Sequence, residues 1–281
     1  MLKLKDGSSI DRIGQGTWKM GENPNSRESE IKALKKGLEL GMTLIDTAEM
    51  YGDGRTESLI GEAIADYPRQ KLYLISKVYP FHAGKGKIFE SCDASLKRLG
   101  IDYLDMYLLH WRGNIPLSET VACMEELVKR GKIRRWGVSN FDLSDMEELL
   151  AVKNGEKCTI NQVLYHLGSR GIEYDLIPWQ QEKGIPVMAY CPIAQAGNLK
   201  CALKNSAVLE EIARKYGATI YQILLSFVLA NGNVIAIPKA SKAGHVKENY
   251  EALKIKLDEK DIEKLNLEFP APKRKVPLDI E

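Results

Sequence analysis

A series of apolar segments in this 281-residue chain stops on side chains that can move protons or bind polar ligands. LIDTA ends around Asp46, LYLISKV around Lys77, DMYLLHW around His110, and RWGVSN at Ser139 and Asn140. INQVLY carries Gln162, PVMAYCP carries Tyr190, VIAIPKA carries Lys239, and Tyr51 lies just beyond LIDTA. A strand that meets water often finishes on a polar residue, so each of these is ordinary alone. A carboxylate, a lysine, a histidine and a tyrosine brought to one place would instead be a reaction centre. A strand-end lysine can form a Schiff base with a carbonyl, as aldolases do. A nearby carboxylate such as Asp46 argues against that use, because it holds the amine charged and non-nucleophilic.

Convergence requires elements that deliver these residues together. A phrase recurs five times: an amphipathic stretch, a glycine, then another apolar run. GLELG leads into MTLIDTA, LKRLG into IDYLDMYLLH, VKRG into KIRRWGVSN, QEKG into IPVMAYCP, and ARKYG into a further apolar segment. Glycine ends a helix cheaply in the left-handed conformation, so each phrase reads as helix, cap, strand. Eight non-alternating apolar runs, at 13–18, 44–48, 72–78, 105–111, 135–140, 160–165, 186–192 and 234–240, predict strands covered on both faces. Helical patterns separate them at about 28–40, 55–66, 86–99, 118–130, 143–152, 173–183, 206–230 (broken at Gly217) and 245–253. Ser144 with Glu147 reads as a capping box, and Ser206 as a helix N-terminus. Eight strand–helix units in a chain of this length predict an α/β protein with a (β/α)8 TIM barrel, whose active site lies at the C-terminal ends of its strands. MLKLKDGSSID predicts a hairpin turned at Asp6-Gly7 that closes the barrel floor. A doubly wound sheet would want GxGxxG after its first strand, and GQGTWKMG breaks that spacing. No Pro-, Gly- or Ser-rich linker divides the chain, which reads as one domain over 1–281 with the charged, Pro-broken tail APKRKVPLDIE on the surface or partly loose.

LIDTAEMYGDGRTE, SKVY, YLLHW, WGVSN, NQVLYH and IPKA, in this order, resemble the signature segments of the aldo-keto reductase family over nearly the whole chain. Within that family the chain is most similar to short prokaryotic reductases of methylglyoxal and other aldehydes. The resemblance implies a catalytic tetrad of Asp46, Tyr51, Lys77 and His110. Hydride addition to a carbonyl leaves negative charge on oxygen, which calls for a proton donor and polar stabilisation. Tyr51 would be that donor; its phenol, ordinarily near pKa ~10, would be brought towards working pH by the Lys77 ammonium. Asp46 would keep Lys77 charged, and His110 would hydrogen-bond the carbonyl oxygen. The resemblance also implies NADPH as cofactor. Ser139, Asn140 and Gln162 would hold its carboxamide, with Tyr190 as a stacking face and Pro192 and Ile193 alongside. IPKASKAGHVKEN would hold the adenosine 2'-phosphate, with Lys239 as the charge, Ala240 and His245 beside it, and Glu248 and Asn249 at the adenine. Ala240 stands where a hydroxyl is common and His245 where arginine is common. Trp18, Tyr79 and Trp111 would wall the substrate pocket, and the short segment after His110 suits small or varied aldehydes or ketones.

Composition narrows the alternatives. With 44% hydrophobic and 28% charged residues the chain is globular, and a net charge of +2 makes no case for a nucleic-acid or membrane partner. MLKLKDGSS lacks the apolar core of a signal peptide, and five scattered cysteines, Cys92, Cys123, Cys158, Cys191 and Cys201, form no metal or disulfide pattern. The expectation is a metal-free, cytoplasmic monomer. Two rivals to the reductase are a Schiff-base aldolase using Lys77 and a cofactor-binding regulatory subunit.

Overall fold

A computed structural model describes residues 1–194 and 203–281, which leaves Cys201 outside the described residues. Two short strands, β1 (Leu2–Lys3) and β2 (Ser9–Ile10), pair antiparallel as a hairpin. Its turn runs through Asp6 and Gly7, with Gly7 at φ +82°. Eight further strands follow: β3 (Gln15–Gly16), β4 (Leu44–Asp46), β5 (Tyr73–Val78), β6 (Met106–Leu109), β7 (Trp136–Ser139), β8 (Asn161–Leu164), β9 (Val187–Tyr190) and β10 (Val234–Ala236). They pair in chain order, each parallel to the next. The sheet closes on itself where Gly14 N donates to Ala236 O at 2.9 Å and Gly16 N donates to Pro238 O at 3.2 Å. This is the (β/α)8 barrel that the strand and helix periodicities predict.

The helices cover the outside. In chain order they are α1 (Arg27–Glu39), α2 (Arg55–Ile64), α3 (Ile88–Leu99), α4 (Leu117–Lys129), α5 (Leu143–Ala151), α6 (Leu176–Glu182), α7 (Ala207–Tyr216), α8 (Ile220–Ala230), α9 (Ala243–Glu251) and α10 (Glu259–Glu268). Gly41, Gly100, Gly131, Gly184 and Gly217, the five glycines of the recurring phrase, all have φ between +58° and +91°. Four of them precede barrel strands. Gly217 instead leads to Thr219, whose side chain accepts from Gln222 N and opens α8, so the fifth phrase is helix, cap, helix.

Two other expectations change. The capping box of α5 is Asp142 with Asp145, not Ser144 with Glu147: Asp142 Oδ1 accepts from Asp145 N at 2.9 Å, which places Ser144 inside the helix. Helix α10 follows an Asp258–Asp261 capping box in a stretch for which no helix is predicted. Among the described residues no helix is long and apolar enough to cross a membrane.

The pleat divides each strand between two cores. Leu74, Tyr107, Leu109, Val163, Val187, Ala189 and Val234 face outward into the layer shared with the helices. Leu44, Ile75, Met106, Leu108, Ile160, Met188, Ile235 and Ile237 face the axis, and Leu4 and Ile10 of the hairpin plug them from below. Side chains two apart on a strand share a face. The next inward position above each apolar layer is therefore set by register: Asp46 above Leu44, Lys77 above Ile75, His110 above Leu108, Gln162 above Ile160, Tyr190 above Met188 and Lys239 above Ile237.

Candidate active site

That upper layer surrounds a cavity of about 130 Å³, lined among others by Trp18, Asp46, Tyr51, His110, Trp111, Ser139, Asn140, Gln162, Tyr190 and Lys239. At its base Lys77 is fully enclosed and donates three hydrogen bonds. They run to Asp46 Oδ2 at 2.8 Å, to Thr47 O at 2.8 Å and to the Tyr51 hydroxyl at 3.0 Å. Gln162 Nε2 donates to the other Asp46 oxygen, Oδ1, at 2.7 Å. Burial pulls the Lys77 pKa down, and the Asp46 carboxylate opposes it.

Tyr51 reaches this amine because of the sequence that follows it. Gly52, Asp53 and Gly54 take φ of +55°, +54° and +83°, a left-handed turn that glycine adopts freely and aspartate tolerates. Burial pushes the Tyr51 phenol well above its ordinary value of 10, with the Asp46 charge acting the same way. This reverses the sequence expectation of a lowered pKa. The ammonium contact is present, but loss of solvation outweighs it, so Tyr51 keeps its proton. His110 is pulled down to about 2, by burial first and by the Lys77 charge second, so the imidazole is neutral. Its Nδ1 is buried without a partner among the described residues, and its ring meets Tyr51 edge-on at 5.8 Å.

The residues matched to the carboxamide converge as expected, with a difference in their free valences. Asn140, at φ +58°, bridges strands: Nδ2 donates to His110 O at 3.2 Å, and Oδ1 accepts from the Tyr190 hydroxyl at 2.9 Å. Gln162 Oε1 faces the cavity without a protein partner among the described residues, whereas neighbouring Asn161 points outward to Phe141 O and Gln180. Ser139 lies on the wall, and the half-buried Tyr190 offers a ring face.

Other matched positions lie off this cavity. Pro192 and Ile193 do not line it, and Ile193 packs on the outer core, whereas the adjoining Cys191 lines the wall at φ +49°. Ala240 packs against Ile13, Ala33, Met42 and Val246. His245 is exposed in the first turn of α9, Glu248 is half-buried, and Asn249 is buried on the same helix. None of the three lines the cavity, whereas Lys239, half-buried, lines it and has no ion-pair partner among the described residues. Burial lowers the Lys239 pKa. Tyr79 stands behind Trp111, 5.8 Å away edge-on, and stacks on Phe81 rather than lining the wall.

The sequence reading misses Gly16, Thr17, Met50, Cys191, Ile237 and Glu281, all of which line the cavity. The tail lies on the surface as expected, with most of its residues exposed, but it is docked across the mouth rather than loose. The Ser169 hydroxyl donates to Asp279, Val276 packs on Gly171, and Glu281 Oε2 accepts from Cys191 Sγ at 3.0 Å. Only the clustered prolines mark this segment, and they say nothing of where it docks. The inward carboxylate–ammonium–phenol chain beside a neutral imidazole can deliver a proton to an oxygen held at the mouth.

The comparisons with known proteins agree with this geometry. The model of the aldo/keto reductase family matches residues 12–267. The chain is 51% identical over 280 residues to methylglyoxal reductase YeaE of Escherichia coli K12, covering all of this chain and 98% of that protein. It is 34% identical to a glyoxal reductase of Bacillus subtilis, covering 94% of this chain and 91% of that one. A crystal structure of an aldo/keto reductase from Klebsiella pneumoniae in complex with NADP and acetate is 50% identical, superposes with a TM-score of 0.97 and covers 100% of this chain and 99% of its own. With barrel, register and motif order all in agreement, the chain belongs to the aldo/keto reductase family.

Proposed function

We propose that this protein reduces small aldehydes and α-oxoaldehydes such as methylglyoxal to alcohols, with NADPH as reductant. The observation that carries this reading is the placement of Lys77 Nζ at 2.8 Å from Asp46 and 3.0 Å from the Tyr51 hydroxyl, in the inward layer at the barrel mouth. The residues fit the cofactor. Gln162 Oε1 and Ser139 offer polar groups for a carboxamide, Tyr190 offers a ring face, and Lys239 with the α9 N-terminus offers positive charge to a phosphate. Bound NADPH supplies the hydride.

The chain's own residues supply the rest. A neutral His110 directs the carbonyl oxygen by hydrogen bonding, and Tyr51 passes its phenolic proton to that oxygen as negative charge develops there. The phenolate so formed lies 3.0 Å from the Lys77 ammonium, which stabilises it until solvent returns the proton. Asp46 keeps that ammonium charged and aimed. Trp18 and Trp111 wall a small cavity, in keeping with small substrates. The names of the relatives in Escherichia coli and Bacillus subtilis support the substrate class, and the NADP complex of the Klebsiella relative supports the cofactor. The buried free thiols of Cys92, Cys123, Cys158 and Cys191 suit the reducing cytoplasm.

The Schiff-base reading fails on valence. All three Lys77 N–H groups are committed and the amine is fully enclosed, so no lone pair faces a carbonyl carbon. NADPH oxidation followed across methylglyoxal, glyoxal, aromatic aldehydes and aldoses should show turnover, highest for the small aldehydes. A borohydride-stable adduct at Lys77, without NADPH oxidation by any aldehyde, would overturn the reductase reading.

A further inference from the structure

One buried ion pair takes no part in the proton chemistry above. Glu57 of α2 is fully enclosed. Its Oε1 accepts from Ser76 Oγ at 2.6 Å, and its Oε2 accepts from Arg98 Nε at 2.6 Å. A carboxylate without solvent is costly unless paired. Here the cation comes from α3 and the hydroxyl from β5.

The position of this pair is dictated by the pleat. Ser76 and Lys77 are neighbours on β5, so one side chain points outward and the other towards the axis. Glu57 therefore stands directly behind the strand that carries Lys77. Arg98 extends the contact to the other partner in proton transfer. Its stem packs so closely on Gly54 that a Cβ there would lie 2.6 Å from Arg98 Cδ, and Gly54 closes the left-handed turn that begins at Tyr51. Arg98 Nη2 also donates to Ser95 Oγ at 3.2 Å, which holds the guanidinium against its own helix. One cluster thus touches both the strand of Lys77 and the turn of Tyr51.

We propose that Glu57 and Arg98 are positioning residues for proton transfer, locking the Tyr51 turn to β5 so that the phenol stays against Lys77 Nζ. The proposal rests on the reading of Tyr51 as proton donor. Glu57 has an electrostatic part as well. Asp46 on β4, Tyr51 on the following turn and His110 just beyond β6 lie on the Lys77 side of the sheet, with Glu57 of α2 behind β5, and both carboxylates favour the ammonium. Removing the Glu57 charge should therefore lower the Lys77 pKa.

Two measurements on Glu57→Gln and Glu57→Asp test this. The first is a 13C NMR titration of lysine-labelled protein without cofactor; the second is the single-turnover rate of NADPH oxidation by methylglyoxal. Glu57→Gln should move the Lys77 titration to lower pH and slow the single turnover about tenfold, with NADPH affinity held within about twofold. Glu57→Asp, which keeps the charge, should restore the titration. An unmoved Lys77 titration in Glu57→Gln, or equal losses in Gln and Asp, would reduce the pair to packing and overturn the proposal. If Glu57→Gln does not fold, Ser76→Ala keeps the ion pair and cuts only its tie to β5. It should slow the single turnover without moving the titration, and a wild-type rate would overturn the proposal. A wild type that oxidises NADPH with no aldehyde sinks the reductase reading instead, and the titration without cofactor distinguishes the two failures.

Discussion

Burial drives Tyr51 and His110 in opposite directions on the pH scale, and both stay neutral as a result. For Tyr51 this means a proton is available to give, and its loss is made favourable only as charge appears on the substrate oxygen beside Lys77. Tyr51→Phe should bind NADPH normally by fluorescence titration yet lose about 10² to 10⁴ in turnover, the usual worth of a general acid. Turnover within a few-fold of wild type would remove Tyr51 from the chemistry. For His110 the sign runs through linkage. Its folded pKa of about 2 lies below the ordinary 6.5, so the unfolded chain takes up the proton first as pH falls. The stability that neutral burial contributes is present above pH 6.5 and is lost progressively towards pH 2. His110→Gln should therefore lose less Tm than wild type on acidification through this range, as followed by circular dichroism. Parallel Tm–pH curves for the two proteins would show that His110 titrates normally.

The barrel closes on its shortest strands, and there glycine is required by space rather than by backbone angle. A Cβ on Gly16 would come within 2.5 Å of Ile237 O, a backbone atom at the β3–β10 seam that cannot move without opening the sheet. Gln15 beside it is buried against α1, donates to Met42 O just beyond that helix at 2.9 Å, and fits because Gly37 has no side chain. Gly16→Ala should cost about 1 to 3 kcal/mol, the range for overpacking, read as a lower urea midpoint at unchanged m-value. Because Gly16 also lines the cavity, kcat/KM for methylglyoxal should fall with it. An unchanged midpoint would mean that the seam is looser than its hydrogen bonds indicate.

At the scale of the whole molecule forty basic and thirty-eight acidic residues nearly cancel, and within the mouth the charge is placed in two regions. The Asp46–Lys77 pair is neutral overall at the bottom of the cavity, and Lys239 lines the cavity with a positive charge that has no ion-pair partner among the described residues. Lys239→Ala should weaken NADPH by about 1 to 3 kcal/mol, the worth of a charge-assisted hydrogen bond, while NADH affinity stays the same. Titrating both cofactors by fluorescence decides it. Equal losses for the two would place Lys239 away from the 2'-phosphate, and the matching of the IPKASKAGHVKEN segment would then need revision.

What could be read along the chain was whatever depends on short-range order. Non-alternating apolar runs, glycine-ended helices and polar strand ends are local, and a parallel barrel converts them into convergence because residues two apart share a face. Asp46, Lys77, His110, Gln162 and Tyr190 were legible for that reason, and Tyr51 through its place just beyond LIDTA and the family resemblance. The tertiary structure decided what depends on distant segments. Glu281 and Cys191 meet only because the tail crosses the mouth, and Tyr79 falls behind Trp111 because it stacks on Phe81. Nothing in the local sequence singles out Glu57, which Ser76 and Arg98 enclose from β5 and α3. The direction of the Tyr51 pKa was likewise beyond the sequence, since a neighbouring ammonium can be inferred from motif order but loss of solvation depends on the volume excluded by the whole fold.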